Sequence, residues 1–278
     1  MSLEATDAPF VHDIVTEASI TVDEITAHTS ASAESGFVTL YDGAPITFDL
    51  MELQDGQTRL LVEAGVPVGD YRQIRLHVTD AQLVLVNGNV YSTANGDLHL
   101  TSQGTSGFKV FVDPPVEIRS NETTRMVLDF DLTKTFHPIP SSGDPLDADS
   151  FNLHPVIHAA NLATTGILRG TVTMAGVQGP QSTAEDGSPT AAGARAPIDL
   201  DIVGAGVGGA TVYVFLPGET DPANSVASTA TNALGSYTVL GLEPGTYDVL
   251  AVKGALDGRV DGIVITASEE TVVDIAID

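Results

Sequence analysis

Apolar and polar residues alternate with a period of two along most of the chain, and sustained helical periodicity is hard to find. Three clear examples run from Ile46 to Leu50, from Ile74 to Val78 and from Phe108 to Val112. In a fourth, Met126, Leu128, Phe130 and Leu132 alternate around Asp129 and Asp131. Each run places one apolar face inward and leaves the other face wet. The pattern therefore predicts an all-β fold in which sheets pack face to face.

Short turn signals separate these runs. The pairs Asp55-Gly56, Asn87-Gly88 and Asn95-Gly96 combine residues that tolerate the positive φ angles of hairpin turns. They predict antiparallel neighbours. A loop with Pro138, Pro140 and Pro145 then precedes a single predicted closing strand from Phe151 to Ala159.

A new alternating run from Ile167 to Met174 indicates a second domain. The 278 residues suit two domains of common size. We therefore predict two tandem β-sandwiches: an immunoglobulin-like domain over residues 1–163 and a prealbumin-like domain over residues 164–278. Residues 176–196 are rich in Gly, Pro, Ser, Thr and Ala, which predicts a mobile loop, and residues 198–202 alternate again.

Four linked motifs fill most of residues 164–278. They are L-R-G-T-V-T at 168–173, G-A-T-V-Y-V at 209–214, T-N-A-L-G-S-Y at 231–237 and G-L-E-P-G-T-Y at 241–247. This part resembles a carboxypeptidase regulatory-like domain, a sandwich of the transthyretin kind. From the residues themselves, Pro244 and Gly245 predict a type II turn in which Gly245 has a positive φ. Tyr237 and Tyr247 are predicted to pack in the core with their hydroxyls at its rim.

The first 163 residues resemble an uncharacterised domain of prokaryotic surface lipoproteins. The resemblance lies in T-D-A-P at 6–9, G-D-Y-R-Q-I-R-L at 69–76, D-F-D-L at 129–132 and H-P-V-I at 154–157. It implies an envelope location and an immunoglobulin-like sandwich, but no activity. We interpret Met1-Ser2-Leu3 as a cloning start, so that a native leader or lipid anchor would be missing. Such an anchor is the only membrane contact that we expect.

Composition narrows the classes of function. The 37 acidic and 11 basic residues give a net charge of -26, which argues against nucleic-acid binding. A saline habitat and an ordinary acidic secreted protein both fit this surface. The absence of cysteine excludes disulfides and thiolate metal sites. Aromatic residues make up only 5% and Trp is absent, so flat aromatic binding faces are not expected.

Three acidic residues, Asp144, Asp147 and Asp149, form the best local set of oxygen ligands and are the candidate calcium site. Their spacing is not that of an EF-hand. His154 and His158 lie four residues apart, but Pro155 argues against a helix, and we interpret both as surface histidines rather than a metal pair. No histidine follows His158, which excludes imidazole chemistry from the second domain. No other cofactor is predicted.

Asp129 and Asp131 share one face of a predicted strand. Two carboxylates are the chemistry of a glycosidase, but the solvated side of an alternating strand explains them as well, and we favour that interpretation. Arg72 and Arg75 are basic exceptions in an acidic chain, and pairing with nearby carboxylates is a sufficient account of them. The chain is therefore not predicted to be an enzyme.

The leading hypothesis is a non-catalytic binding or adhesion accessory protein of the cell envelope, its outer surface or the exterior. Its partner would be a surface ligand, glycan or protein. Two alternatives stay open: a structural spacer of a surface lipoprotein, and a calcium-dependent carbohydrate-binding module.

Overall fold

The computed structural model describes residues 1–8, 14–29, 36–53, 56–100, 107–140, 144–175 and 204–278. The predicted loop at 176–196 and the predicted strand at 198–202 lie outside these residues. Within them, strands dominate and confirm the predicted all-β fold. Among the described residues, no helix is long and apolar enough to cross a membrane.

Twelve strands of the described residues lie before residue 164. They are β1 (Ser2–Ala8), β2 (Val15–His28), β3 (Phe37–Asp49), β4 (Arg59–Glu63), β5 (Gly69–Leu85), β6 (Val90–Ser92), β7 (Leu98–Leu100), β8 (Phe108–Ile118), β9 (Arg125–Asp131), β10 (Phe136–Ile139), β11 (Ser150–Leu153) and β12 (Ile157–Asn161). A short helix α1 (Leu132–Thr135) follows β9, and 3-10 turns occupy Leu50–Leu53 and Pro145–Asp147.

These strands form two larger sheets and a small one. The first has the order β12-β9-β1-β4, with β1 parallel to β9 and the other pairs antiparallel. The second runs β3-β2-β5, where β5 also pairs with both β6 and β8. The small sheet is β10-β11-β7. Apolar residues of both larger sheets, including Met126, Leu128, Ile74 and Leu76, share one hydrophobic core.

Eight more described strands follow residue 164 and build a second core. They are β13 (Gly166–Met174), β14 (Thr211–Phe215), β15 (Ala227–Ala230), β16 (Ser236–Leu242), β17 (Gly245–Lys253), β18 (Leu256–Ile265), β19 (Glu270–Val272) and β20 (Ile275–Ile277). A 3-10 turn spans Pro222–Asn224. One sheet has β13 between β16 and the parallel strands β19 and β20, and the other has the order β15-β14-β17-β18.

Two separate cores agree with the predicted tandem arrangement, but packing does not show that either part folds alone. The domain limits 1–163 and 164–278 therefore stay predictions. Tyr237 and Tyr247 are buried in the second core, as predicted. Their hydroxyls donate to Val273 O (2.7 Å) and Glu243 O (2.9 Å).

Several local predictions were wrong. The predicted hairpin at Asn87-Gly88 joins the paired strands β5 and β6. Asp55, in another of the predicted turns, lies outside the described residues. Gly56 and Gly96 have positive φ, but the strands around them pair elsewhere. The predicted closing strand is in fact two strands: β11 ends before Pro155, and β12 begins after it. Proline lacks an N–H and keeps His154 extended, so the chain can change sheets here.

The turn after β16 also differs from the prediction. Gly241 has a positive φ of 76°, whereas Gly245 does not and begins β17. The strands on either side belong to different sheets, since β16 pairs with β13 and β17 with β14 and β18. The segment therefore crosses between sheets instead of closing a hairpin.

Candidate functional site

The predicted solvated face of β9 is covered. Its outward side carries Val127, Asp129 and Asp131, and Val127 is fully buried although it lies outside the first core. A Cβ placed on Gly241 of β16 would lie 2.6 Å from the Ala160 Cβ and 3.5 Å from the Val127 Cγ1. We call this surface, where the second core covers β9, β1 and β12, the junction. The prediction failed because strand alternation shows which face is polar but not what packs on it.

Hydrogen bonds also cross the junction. Lys134 Nζ donates to Ser225 O at 3.3 Å and lies 3.0 Å from Asp131 Oδ2. Ser268 donates through its backbone N–H to Thr165 O (2.8 Å) and through its hydroxyl to Ala163 O (2.6 Å). Because these bonds tie the first core and the connecting segment to the second core, they oppose hinge motion between them.

The two carboxylates of β9 occupy this junction. Asp131 is 5% exposed, its Oδ1 accepts from the Lys134 N–H, and it caps α1. Asp129 is half-buried. Burial and, after it, the charge of Asp131 raise its pKa to about 7, although the positive charge of Lys134 acts in the opposite direction. A saccharide has no room beside Asp131, so this arrangement does not favour a glycosidase.

The predicted histidines are not brought together as a metal pair. His158 is opposite Asp129 in the β12–β9 ladder, and its ring keeps some exposure while burial lowers its pKa. His154 instead packs edge-on against His137, with ring centroids 5.3 Å apart. Tyr213 lies on β14, between the core residues Val212 and Val214. Burial is the largest cause that raises its pKa, and the charge of Asp131 raises it further. The junction is thus a structural contact in which the charge of Asp131 acts on the pKa values of Asp129, His158 and Tyr213.

The candidate calcium residues lie around the Pro145–Asp147 turn. Asp144 caps this turn by accepting from the Leu146 N–H at 3.0 Å, while Asp147 and Asp149 are exposed. No group of three His, Asp or Glu side chains is placed to hold a metal ion within the described ranges. Calcium binding here stays a prediction.

A pocket that the sequence analysis did not identify lies on the outer face of the second sheet. It has a volume of about 250 Å³, and its lining consists of Glu24, Thr26, Phe37, Thr39, Arg75, His77 and Gly107. Strands β2, β3 and β5 place these residues side by side: Thr26 is opposite Thr39 on one side and Arg75 on the other. The alternation of β5 predicted that Arg75 points outward. It did not predict that β3, which supplies Phe37 and Thr39, lies two strands away in the same sheet.

Arg75 corrects the sequence-based account of the arginines. Its guanidinium carbon lies 4.1 Å from the centroid of the Phe37 ring, and its Nε donates to Gln73 Oε1 at 3.1 Å. In the part of the chain that the structure describes, no ion pair joins it to a carboxylate. At the other end of the pocket, His77 Nδ1 and Asp23 Oδ1 are 2.6 Å apart, which fixes the imidazole. The pocket therefore holds a fixed cation beside an aromatic ring, hydroxyls and an imidazole.

The family comparison concerns the first part of the chain. A family model described as "Domain of unknown function (DUF4382)" matches residues 1–155. No curated protein matches the chain. The family match ends at residue 155, and the resemblance of residues 164–278 to a carboxypeptidase regulatory-like domain stays a prediction.

Solved structures with some similarity include pilins. A variant of the major pilin subunit of Bacillus cereus is 10% identical, with a TM-score of 0.25, and the match covers 96% of this chain and 60% of that one. The minor pilin of Streptococcus agalactiae is 10% identical, with a TM-score of 0.22 and coverages of 99% and 94%. The shaft pilin of Lactobacillus rhamnosus GG is 10% identical, with a TM-score of 0.24 and coverages of 100% and 96%. The chain thus spans less than two thirds of the Bacillus pilin, and similarities this low carry no functional argument.

Proposed function

We propose that this chain, which belongs to the DUF4382 family, is a non-catalytic binding accessory protein of the cell envelope or exterior. The observation that supports this proposal is the outer-face pocket, where Arg75, which forms no ion pair within the described ranges, lies beside the ring of Phe37. Such a combination binds anionic or polar ligands. The family is defined by a domain of unknown function, so the proposal depends on this chain's own residues.

Neither the carboxylate pair nor the pocket histidine is arranged for catalysis. The carboxylate pair that could cleave a glycosidic bond lies in the junction, where Asp131 already pairs with Lys134. In the pocket, the imidazole of His77 contacts Asp23, and within the described ranges no hydroxyl hydrogen-bonds to it. A serine–histidine type of nucleophile activation therefore lacks its hydrogen bond among the described residues.

A binding experiment tests the proposal directly. The purified chain is applied to immobilised envelope polysaccharides and to envelope proteins of its source, and saturable binding is expected. A broad hydrolase screen, with Asp129→Asn as the matched variant, is expected to give no activity above the blank. Turnover that Asp129→Asn abolishes would contradict the non-catalytic proposal.

The spacer alternative rests on a different observation, the hydrogen-bonded junction. A spacer needs a stiff connection between its parts, and the bonds from Lys134 and Ser268 provide one. It needs no ligand. Absence of saturable binding across both screens would therefore favour the spacer.

A further inference from the structure

The outer face of the second sheet continues beyond the pocket. Lys109 of β8 is opposite Arg75, and Phe111 is opposite Gln73. Phe111 is 71% exposed, although it is one of few aromatic residues in the chain. The outer sheet face is defined here by Thr26, Phe37, Thr39, Gln73, Arg75, Lys109 and Phe111. Aromatic side chains are enriched in the contact surfaces of proteins relative to the rest of their surface.

Two cations on this face lie opposite each other without an ion pair. Of the ten lysines and arginines in the described residues, five form ion pairs with carboxylates: Arg119, Arg125, Lys134, Arg169 and Arg259. The other five form none in the same ranges, and of these Arg75 and Lys109 are opposite each other in the β5–β8 ladder, although acidic residues outnumber basic ones by 37 to 11 in the chain. Two adjacent cations without acidic partners in such a chain point to an anionic group of a ligand.

The arginine is held in place before any ligand arrives. Stacking on Phe37 and the bond from Nε to Gln73 fix the guanidinium plane, so little side-chain entropy is lost on binding. The contacts described use Nε and one ring face, which leaves the terminal N–H groups for a planar carboxylate. A carboxylate takes two parallel hydrogen bonds from such a fork.

The size and the other groups favour a sugar over a peptide. The pocket of about 250 Å³ is smaller than the ~300–1,000 Å³ of drug-sized sites and suits one ring. Thr26, Thr39 and Glu24 supply hydroxyl and carboxylate partners for sugar hydroxyls. Four residues on neighbouring strands form a row on this face: Thr39, Thr26, Arg75 and Lys109. The row is about 14 Å long at the usual strand spacing. Phe111 at its end offers an apolar surface to sugar C–H groups.

The net charge of -26 does not prevent this contact. At physiological salt, charges farther than about 8 Å are largely screened. Arg75 and Lys109 lie within the face, whereas much of the acid is spread over the rest of the molecule. The affinity therefore depends mainly on short-range hydrogen bonds. Because the carboxylate of Glu24 would repel an acidic group, a ligand has to place its own carboxylate next to Arg75.

We propose that the outer sheet face binds a carboxylate-bearing saccharide, with the carboxylate on Arg75 and a neighbouring sugar against Phe111. This inference rests on the proposed binding function and names its ligand class. An acidic peptide is the competing ligand, and the experiment separates the two.

The probes are an oligogalacturonate, the matching neutral oligosaccharide and a glutamate-rich peptide, titrated into the full chain by calorimetry. Saturable binding of the oligogalacturonate is expected, with weaker binding of the other two. Arg75→Gln should weaken it roughly ten- to hundredfold, the range of a charged hydrogen-bond pair. Phe111→Ala should weaken it several-fold. Thermal melting verifies that each variant is folded.

Two matched controls make the test specific. Arg59→Gln removes an exposed arginine of β4, and Val264→Ala trims an exposed apolar residue of β18; neither should change the affinity. Equal binding by Arg75→Gln and Arg59→Gln would overturn the site, even if the chain binds envelope polymers elsewhere. Tighter binding of the peptide would overturn the saccharide. No binding of any probe, together with blank envelope screens, would overturn the proposed function itself.

Discussion

At the residue scale, the junction shows how burial changes an ordinary strand residue. Asp129 belongs to an alternating strand and would be a solvated acid on an uncovered sheet. Asp131 lies two residues along the same strand, Lys134 follows in α1 and His158 is opposite in β12, while Tyr213 of β14 interacts with Asp131 from the second part. Desolvation is the largest cause of the raised pKa of Asp129. The ionised form is therefore less favourable in the folded protein than in the unfolded chain.

This gives a pH dependence with a defined sign. A carboxyl whose pKa is about 7 when folded and about 3.9 when unfolded favours folding while protonated. Its contribution is full below about pH 4 and is lost as the pH rises to about 7. Asp129→Asn should raise the free energy of unfolding by about 1–3 kcal/mol at pH 8 and change it little at pH 4.

Urea titrations at several pH values measure this difference. Asp70→Asn, at an exposed position of β5, is the control and should show no such pH dependence. If Asp129→Asn kept the pH profile of the parent chain, the buried acid would not be its source.

A second residue-scale prediction concerns Thr229 of β15. Its hydroxyl is buried and has no hydrogen-bond partner among the residues that the structure describes. Replacing it with valine keeps the shape and removes the unsatisfied group, so Thr229→Val should raise stability by up to about 1 kcal/mol. Chemical denaturation measures the change. A loss of stability would mean that the hydroxyl is bonded to buried water.

At the element scale, strands were predictable but their partners were not. The two-residue period located β5, β8 and β9 because each has one apolar face. It could not show that β1 runs parallel to β9, since pairing over so long a separation leaves no local pattern. Nor could it show the bulge between Tyr71 and Gln73, which sets where Arg75 meets Lys109. The outer-face pocket was missed for that reason.

The crossing segment at Gly241 allows a test of the junction. Gly241→Ala would place a methyl group 2.6 Å from the Ala160 Cβ and strain a left-handed backbone. Gly254 has a φ of 62° as well, but a Cβ there would meet no heavy atom within 4 Å in the described residues. Gly254→Ala should therefore cost about 1 kcal/mol from backbone strain, and Gly241→Ala about 2–4 kcal/mol. Urea denaturation compares the two; equal losses would mean that β16 does not pack on the first core.

At the scale of the whole molecule, charge and topology act together. A net charge of -26 makes the compact state repel itself, and added salt screens this repulsion. The composition was readable from the sequence, whereas the covering of one sheet by the second core was not. That covering is what removes the β9 carboxylates from solvent.

The saline-habitat hypothesis makes a prediction at this scale. The thermal midpoint should rise by several degrees from low to molar sodium chloride, because screening favours the compact chain. Differential scanning calorimetry follows it across the series. A midpoint independent of salt would instead support the ordinary acidic secreted protein.

The parallel strand pairs have a consequence for how the chain reaches its fold. Ser2 pairs with Arg125, and Ile167 pairs with Glu270. During synthesis, each of these early strands therefore has no parallel partner until about 100 further residues have been made. Until then, β1 and β13 each leave an open edge that any extended chain could occupy. Newly made copies crowded together would exchange these strands, and slow synthesis at low concentration should therefore give the best yield of correctly closed protein.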